Sequence, residues 1–217
     1  MSKIVVIMGA PGAGKGTQAR LLQEREGLPQ ISTGDMFRAL LKTETPLAEE
    51  LRPILSAGAL VPDELTVRVV RERTAQGDCR AGYVLDGFPR TPAQAEMLEG
   101  LAAERGHTLE AVLVDVPFDS LEKRVTGRRS CPVCGEIYNV YFKPPARDEV
   151  CDLHPEARLT RRADDNAETI KARLATYERD TRPLLDYYER TGRLRRVDGT
   201  RDAQAIYADI EKAVNGG

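Results

Sequence analysis

No stretch of this 217-residue sequence stays apolar for long. The first hydrophobic run, Ile4-Val5-Val6-Ile7-Met8, is short and leads straight into a glycine-rich loop, so a signal peptide is not expected. Nothing approaches the roughly 20 apolar residues of a membrane-spanning helix. Neither sign of charge prevails: 32 Lys and Arg stand against 34 Asp and Glu. A net charge of −2 argues against a surface dedicated to coating nucleic acid, while leaving room for a locally basic site. Cysteine is scarce, and three of the four cysteines share one segment, which favours a metal site over a disulfide framework. There is no internal repeat and no low-complexity segment. What remains is a soluble, cytoplasmic chain long enough for one large domain or one domain with inserts.

The stretch Gly9-Ala10-Pro11-Gly12-Ala13-Gly14-Lys15-Gly16-Thr17 lies between the run 4–8, read as a strand, and residues 18–25, read as a helix. Strand, glycine loop and helix are the context of a phosphate-binding P-loop. Glycines let backbone N–H groups converge on an anion, the helix N-terminus adds partial positive charge, and Lys15 adds a full one. Gly16 stands where the common pattern has Ser or Thr, and Thr17 follows it. Further buried strands are expected at Tyr83-Val84-Leu85, at 111–116, at 194–197 and at Gln30-Ile31-Ser32. Helices are expected at 63–76, 92–105, 119–129 and 202–214, and two short ones within 35–58. Residues 166–190 form one apolar helical face that Pro183 kinks or breaks. The alternation implies a three-layer α/β fold with a mostly parallel sheet, whose ligand sits at the carboxyl ends of the strands.

Two places near that edge could hold more phosphate or a metal. Ser32-Thr33-Gly34-Asp35 reads either as a helix cap followed by a surface Arg38, or as a frame that aims Arg38 at a second phosphate. Asp86 closes the strand before Gly87-Phe88-Pro89-Arg90, where its carboxylate would orient Mg²⁺-bound water and Arg90 would share the mouth of Lys15. Gln94, early in the next helix, reads as a solvent-facing residue or as an amide for a purine edge.

After residue 127 the character changes. Cys131-Pro132-Val133-Cys134 and Cys151-Asp152-Leu153-His154 are paired knuckles with the spacing of a closed tetrahedral zinc site. Cys131, Cys134 and Cys151 are the firm ligands; His154 is the fourth candidate and Asp152 its rival. With every ligand from protein, the metal would be structural. Between the knuckles Ile137-Tyr138-Asn139-Val140-Tyr141-Phe142 alternates like a strand. Arginines crowd the same region, among them Arg124, Arg128, Arg162 and Arg173, with Asp164 and Asp165 to answer them. His107 is expected exposed in a polar turn, and Cys79 is expected to be a lone thiol.

On these motifs the sequence resembles the adenylate kinases of the long-lid, zinc-bearing bacterial type, within the nucleoside monophosphate kinases. The resemblance runs through Gly9 to Thr17, Ser32 to Asp35, Leu60-Val61, Asp86 to Arg90, Gly127-Arg128-Arg129, Arg162 with Asp164-Asp165, and Arg173. It implies a five-stranded P-loop core with a helical AMP-binding insert at 32–61 and a small zinc-pinned β lid at 127–165. It implies that ATP is held by Gly12, Ala13, Gly14, Lys15, Gly16 and Thr17, and contacted by Arg124, Arg128, Ile137, Tyr138 and Arg201. For AMP it implies Thr33, Arg38, Ala59, Leu60, Val61 and Gly87, then Phe88, Pro89, Arg90, Gln94, Arg162 and Arg173. Lys15, Arg90, Arg128, Arg162 and Arg173 would surround the transferring phosphoryl group. The implied reaction is ATP + AMP ⇌ 2 ADP with Mg²⁺ on ATP, by a monomer without nucleic-acid or membrane partners. Zinc-bearing relatives often carry Cys or Asp where this chain has His154. A UMP/CMP kinase and a P-loop ATP-binding switch protein are the competing readings.

Overall fold

The computed structural model describes residues 2–215. At its centre is β1 (Lys3–Met8), which is buried on both faces: Ile4, Val6 and Met8 point into one apolar layer, Val5 and Ile7 into the other. That two-sided burial is why its sequence is continuously apolar and not alternating. Around it stand β2 (Gln30–Ser32), β3 (Gly82–Asp86), β4 (Thr108–Asp115) and β7 (Leu194–Asp198), in the order β2-β3-β1-β4-β7. Every pairing in this sheet is parallel. The first helix, α1 (Lys15–Glu26), packs on one face with α9 (Ala203–Asn215), and α5 (Pro92–Arg105) packs on the other with α8 (Pro183–Arg190).

Two groups of elements stand off the sheet. The helices α2 (Thr33–Leu40) and α3 (Pro46–Ser56), with the start of α4 (Asp63–Thr74), close over a small cluster of Phe37, Leu51 and Val61. Ser32 caps α2 by accepting from Asp35 N–H at 3.3 Å, and Thr45 caps α3 in the same way through Ala48. The second group follows α6 (Phe118–Thr126) and contains the antiparallel pair β5 (Arg128–Ser130) and β6 (Ile137–Asn139). Its apolar cluster is only Cys131, Tyr138, Cys151, Ala157 and Leu159.

Several boundaries differ from the sequence reading. The helix expected to reach residue 129 ends at Thr126, because Gly127 leads into the β5–β6 pairing. The strand run after residue 137 stops at Asn139, where Asn139 and Lys143 bond each other in a tight turn and leave Tyr141 and Phe142 exposed. The long helix through residue 190 is broken: α7 (Ala167–Thr176) widens into a π turn at Tyr177–Thr181 before α8. Pro183 has no N–H to offer the preceding turn and its ring would collide with the carbonyl four residues back. Arg182 N–H instead reaches back to the Tyr177 carbonyl at 2.8 Å. His107 is half-buried, not exposed. Its ring stands edge-on to Tyr83, which sits in the core, and burial pushes its pKa down. Cys79 is a buried single thiol beside Arg73.

Candidate active site

The carboxyl ends of β1, β3 and β2 open into a cavity of about 1840 Å³, roofed by α2 and α3 on one side and by the β5–β6 group on the other. Its floor is the loop after β1. Gly12 and Gly14 take φ of 90° and 99°, a region that side chains rarely adopt. A Cβ on Gly12 would also lie 2.9 Å from Val125. The loop ends in α1, whose first residue is Lys15. Its Nζ donates to the Gly9 and Ala10 carbonyls at 2.8 and 3.0 Å, so the ammonium lies folded over the loop. Burial pushes its pKa down to about 8; Asp86 opposes this, while Arg90, Arg173 and Arg128 reinforce it. A Cβ on Gly16 would stand 3.3 Å from Asp86 Oδ2, which is a local reason for glycine there.

The arginines converge on this floor, and most are tied to acids. Arg128 forms a two-pronged pair with Asp165, its Nε 2.8 Å from Oδ2. Asp165 is wholly buried, so that pair is a fixed part of the site. Arg173 Nη1 bonds Asp164 at 2.9 Å. Asp35 serves two cations, Arg38 at 2.6 Å and Arg162 at 3.4 Å. Burial, then neighbouring arginines, push Arg162 down to about 10. Burial does the same to Arg173, also to about 10, with Asp164 opposing. Such a cluster gains from any anion that neutralises it. Arg90 has no carboxylate partner among the described residues. Its Nε donates to the Gly87 carbonyl at 2.8 Å, an oxygen that also accepts from Thr33 Oγ1 at 2.9 Å. Burial pushes its pKa down, against Asp86.

Nearly all residues named from the sequence line this one cavity: the loop from Gly12 to Thr17, Thr33, Arg38, Ala59, Leu60 and Val61. So do Asp86, Gly87, Arg90 and Gln94, with Arg124 from α6, Arg128, Ile137, Tyr138 and Arg162 from the segment that follows it, and Arg173 from α7. Arg201 lines it too and pairs with Asp209 of α9. Phe88 and Pro89 do not line it; Phe88 packs into the core, 2% exposed, and holds the turn from behind. Gln94 is not solvent-facing: it is 1% exposed, its Oε1 accepts from Arg90 N–H at 2.7 Å, and its Nε2 donates to Asp63 at 2.6 Å. Those bonds occupy one donor and one acceptor of the amide and leave one of each. Asp63 itself was not singled out from the sequence, where it reads only as an acidic residue at the start of a helix. It also accepts from Thr91 Oγ1 at 2.9 Å, fixing α4 against α5.

The paired knuckles meet in space. Donor atoms of Cys131, Cys134, Cys151 and His154 all lie within 4.8 Å of one another. Cys134 and Cys151 sulfurs are 3.8 Å apart, and two thiolates on a tetrahedral zinc at about 2.3 Å each stand about 3.8 Å apart. His154 Nδ1 is buried without a hydrogen-bond partner, as a ring turned toward a metal would leave it. Asp152, the rival, is engaged elsewhere, accepting from Ala146 N–H at 2.8 Å. Burial raises the Cys151 pKa, but bonds from Tyr138, Leu153 N–H, Cys131 and His154 outweigh it and bring the thiol to about 6, toward the thiolate that binds metal. The donor set fits zinc. Tyr138 joins the two centres: it lines the cavity while its hydroxyl meets Cys151 Sγ at 3.6 Å and accepts from Asp152 N–H at 2.9 Å.

Comparison with known proteins agrees with this geometry. The family profile described as "Adenylate kinase" matches residues 7–193. The chain is 48% identical over 213 residues, 98% of both chains, to an adenylate kinase of Geobacillus sp. (strain WCH70). It has the same identity and coverage with an adenylate kinase of Bacillus subtilis (strain 168). With one from Thermodesulfovibrio yellowstonii it is 48% identical over 207 residues, 95% of this chain and 96% of that one. A similarity that runs almost end to end leaves little of the chain outside it, and on that ground the chain belongs to the adenylate kinase family.

Proposed function

We propose that the chain transfers a phosphoryl group reversibly from Mg–ATP to AMP, giving two ADP. The observation that carries this is the pairing, in one cavity, of a P-loop with a second anion pocket at Arg38 and Arg90, bridged by arginines on the lid. A switch protein that only binds ATP has no use for the second pocket. In this reading Gly12 to Thr17 hold the ATP phosphates, and Arg124, Ile137, Tyr138 and Arg201 border the nucleoside. Thr33, Ala59, Leu60, Val61, Gly87 and Gln94 form the wall of the AMP pocket. Mg²⁺ arrives with ATP, and Asp86 faces its water shell. Lys15, Arg90, Arg128, Arg162 and Arg173 spread positive charge over the phosphoryl group in flight. Phosphoryl transfer needs positioning and charge neutralisation more than proton chemistry, and the AMP phosphate is the attacking group. The inserts at 32–61 and 127–165 close over the substrates and exclude water, so that ATP is not hydrolysed. Cys131, Cys134, Cys151 and His154 hold a structural zinc. Among the described residues no helix is long and apolar enough to cross a membrane. From the family resemblance, and not from that absence, we infer a cytoplasmic monomer.

The test is a panel of acceptors with Mg–ATP. ADP formation is expected to require an acceptor and to be fastest with AMP. A faster rate with UMP or CMP, or turnover without any monophosphate, would overturn the reading.

Lys15 supplies a pH prediction. With its free pKa near 8, the side chain is mostly neutral at pH 9. A bound polyphosphate restores the charged form. ATP binding at pH 9 is therefore expected to take up close to one proton, and close to none from Lys15 at pH 6.5. Calorimetry in buffers of different ionisation enthalpy reads the difference directly; equal uptake at both pH values would remove Lys15 from the phosphate contact. For the free protein the sign is the reverse of a stabilising pair. Charging Lys15 opposes folding below pH 8, and the cost is relieved as pH rises from about 8 toward 10.5.

A further inference from the structure

One side chain of the phosphate-loop helix, on the wall of the same cavity, reaches across to the segment that carries the cysteine knuckles. Arg20 lies on α1, about one and a half turns beyond Lys15. Its Nη2 donates to the Gly135 carbonyl at 2.7 Å, and its Nη1 donates to Glu136 Oε2 at 3.3 Å. The Arg20 and Glu136 side chains are 22% and 26% exposed, so their pair is partly sheltered, while the bond to Gly135 lies at the surface. The other oxygen of Glu136 accepts from Lys143 Nζ, which holds the carboxylate in place.

What Arg20 grips is the turn that carries two metal ligands. Cys131 N–H donates to the Glu136 carbonyl at 2.9 Å, and Gly135 N–H donates to the Cys131 carbonyl at 3.0 Å. Gly135, at φ 70°, supplies the left-handed corner that presents its carbonyl outward. The shape of this turn is fixed by Cys131 and Cys134 converging on one point. A guanidinium that bonds a backbone carbonyl can recognise that shape, whereas an ion pair alone would tolerate many.

We propose that Arg20 is a positioning residue: it clasps the metal-binding turn onto the phosphate-loop helix and so raises the fraction of molecules whose lid already lies over Lys15 when ATP arrives. This rests on the kinase reading above. A lid in equilibrium between open and closed reduces apparent affinity by the fraction closed. The clasp raises that fraction with residues that make no contact with the reacting atoms. It is also the one described side-chain link between α1 and the metal-binding turn, so lid closure depends on the turn keeping its metal-set form.

The experiment uses the full-length, zinc-loaded protein with Arg20→Ala. KM for ATP is expected to rise about tenfold, the effect of a charge-assisted bond discounted for partial exposure. kcat is expected not to fall, since a lid that opens more readily does not slow release of product. KM for AMP and the thermal midpoint stay close to the parent's. Amide exchange across residues 131–137, measured without substrate, is expected to quicken by a similar factor. Glu136→Gln keeps the Gly135 bond and is expected to give a smaller rise in KM, less sensitive to salt than the parent's. Unchanged exchange together with unchanged KM for ATP would overturn the clasp. So would a fall in kcat with both KM values raised alike, which would make Arg20 a contributor to general stability. If Arg20→Ala does not fold, exchange in Glu136→Gln decides: no quickening at residues 131–137 overturns the proposal. Loss of AMP-dependent ADP formation in the parent protein would sink the kinase reading instead, and would leave the exchange result standing.

Discussion

Arg90→Ala is expected to lower kcat about a thousandfold while leaving the fold intact. The expectation comes from how Arg90 differs from its neighbours. Arg38, Arg128, Arg162 and Arg173 each meet a carboxylate, so part of their charge is already answered. Arg90 is steered by a carbonyl only, with its Nε on Gly87, and its backbone N–H is held by Gln94. That arrangement fixes the direction of the guanidinium without neutralising it. A pre-aimed, desolvated arginine stabilises charge spread over the phosphoryl oxygens, and an arginine in that position is worth about 10³–10⁵ in rate. The structural cost of its removal is small, since the Gln94 contact is made by the backbone and survives the substitution. Arg90→Lys keeps the charge but loses the planar fork, and is expected to recover only part of the rate. Steady-state kinetics alongside thermal unfolding checks both variants. A native melting temperature with turnover near the parent's would remove Arg90 from the site.

The same neighbourhood shows what a sequence discloses and what it hides. The loop from Gly9 to Thr17 was legible because its chemistry is local: glycines, a lysine and a helix start follow one another in the chain. The strands were legible because both faces of the sheet are covered, which makes runs such as 4–8 and 111–114 wholly apolar. The two groups of elements off the sheet left their own traces, two short helices after the second strand and a cysteine-bearing, β-rich segment after residue 127. Between the two readings of Gln94 the sequence could not choose, because its partner, Asp63, lies 31 residues earlier, and nothing local announces that pair. His107 was misread for a similar reason, since the Tyr83 ring that it meets edge-on belongs to β3, separated from β4 by β1 in the sheet. The double use of Asp35 by Arg38 and Arg162 joins residues 127 apart across the two roofs of the cavity. Spacing favoured His154 over Asp152, which directly follows Cys151. The fold adds the reason, because it gives the Asp152 carboxylate to Ala146 N–H and leaves His154 Nδ1 without a partner.

That last distinction leads to the second large effect. Cys131→Ser is expected to abolish metal binding and unfold the lid while the sheet stays folded. The apolar cluster of this segment is five side chains, two of which are the candidate metal ligands Cys131 and Cys151. Removing the metal therefore removes the centre of the cluster as well as its staple. So small a core does not offset the entropy of ordering the segment. Zinc binding can supply roughly 10 kcal/mol or more of apparent folding energy to such a module. The core has two large apolar layers of its own and does not share this dependence. Native mass spectrometry is expected to find about one zinc per parent chain and none in Cys131→Ser. Limited proteolysis is then expected to cut between residues 127 and 165 in the variant while the parent resists. His154→Ala is expected to weaken zinc retention strongly against a competing chelator. Asp152→Asn is expected to retain the metal, because Asp152 Oδ1 serves the backbone at Ala146 and an amide oxygen can accept that bond equally well. Zinc retained in Cys131→Ser, or lost in Asp152→Asn and kept in His154→Ala, would mean that the four donors brought together here are not the ones that hold the lid.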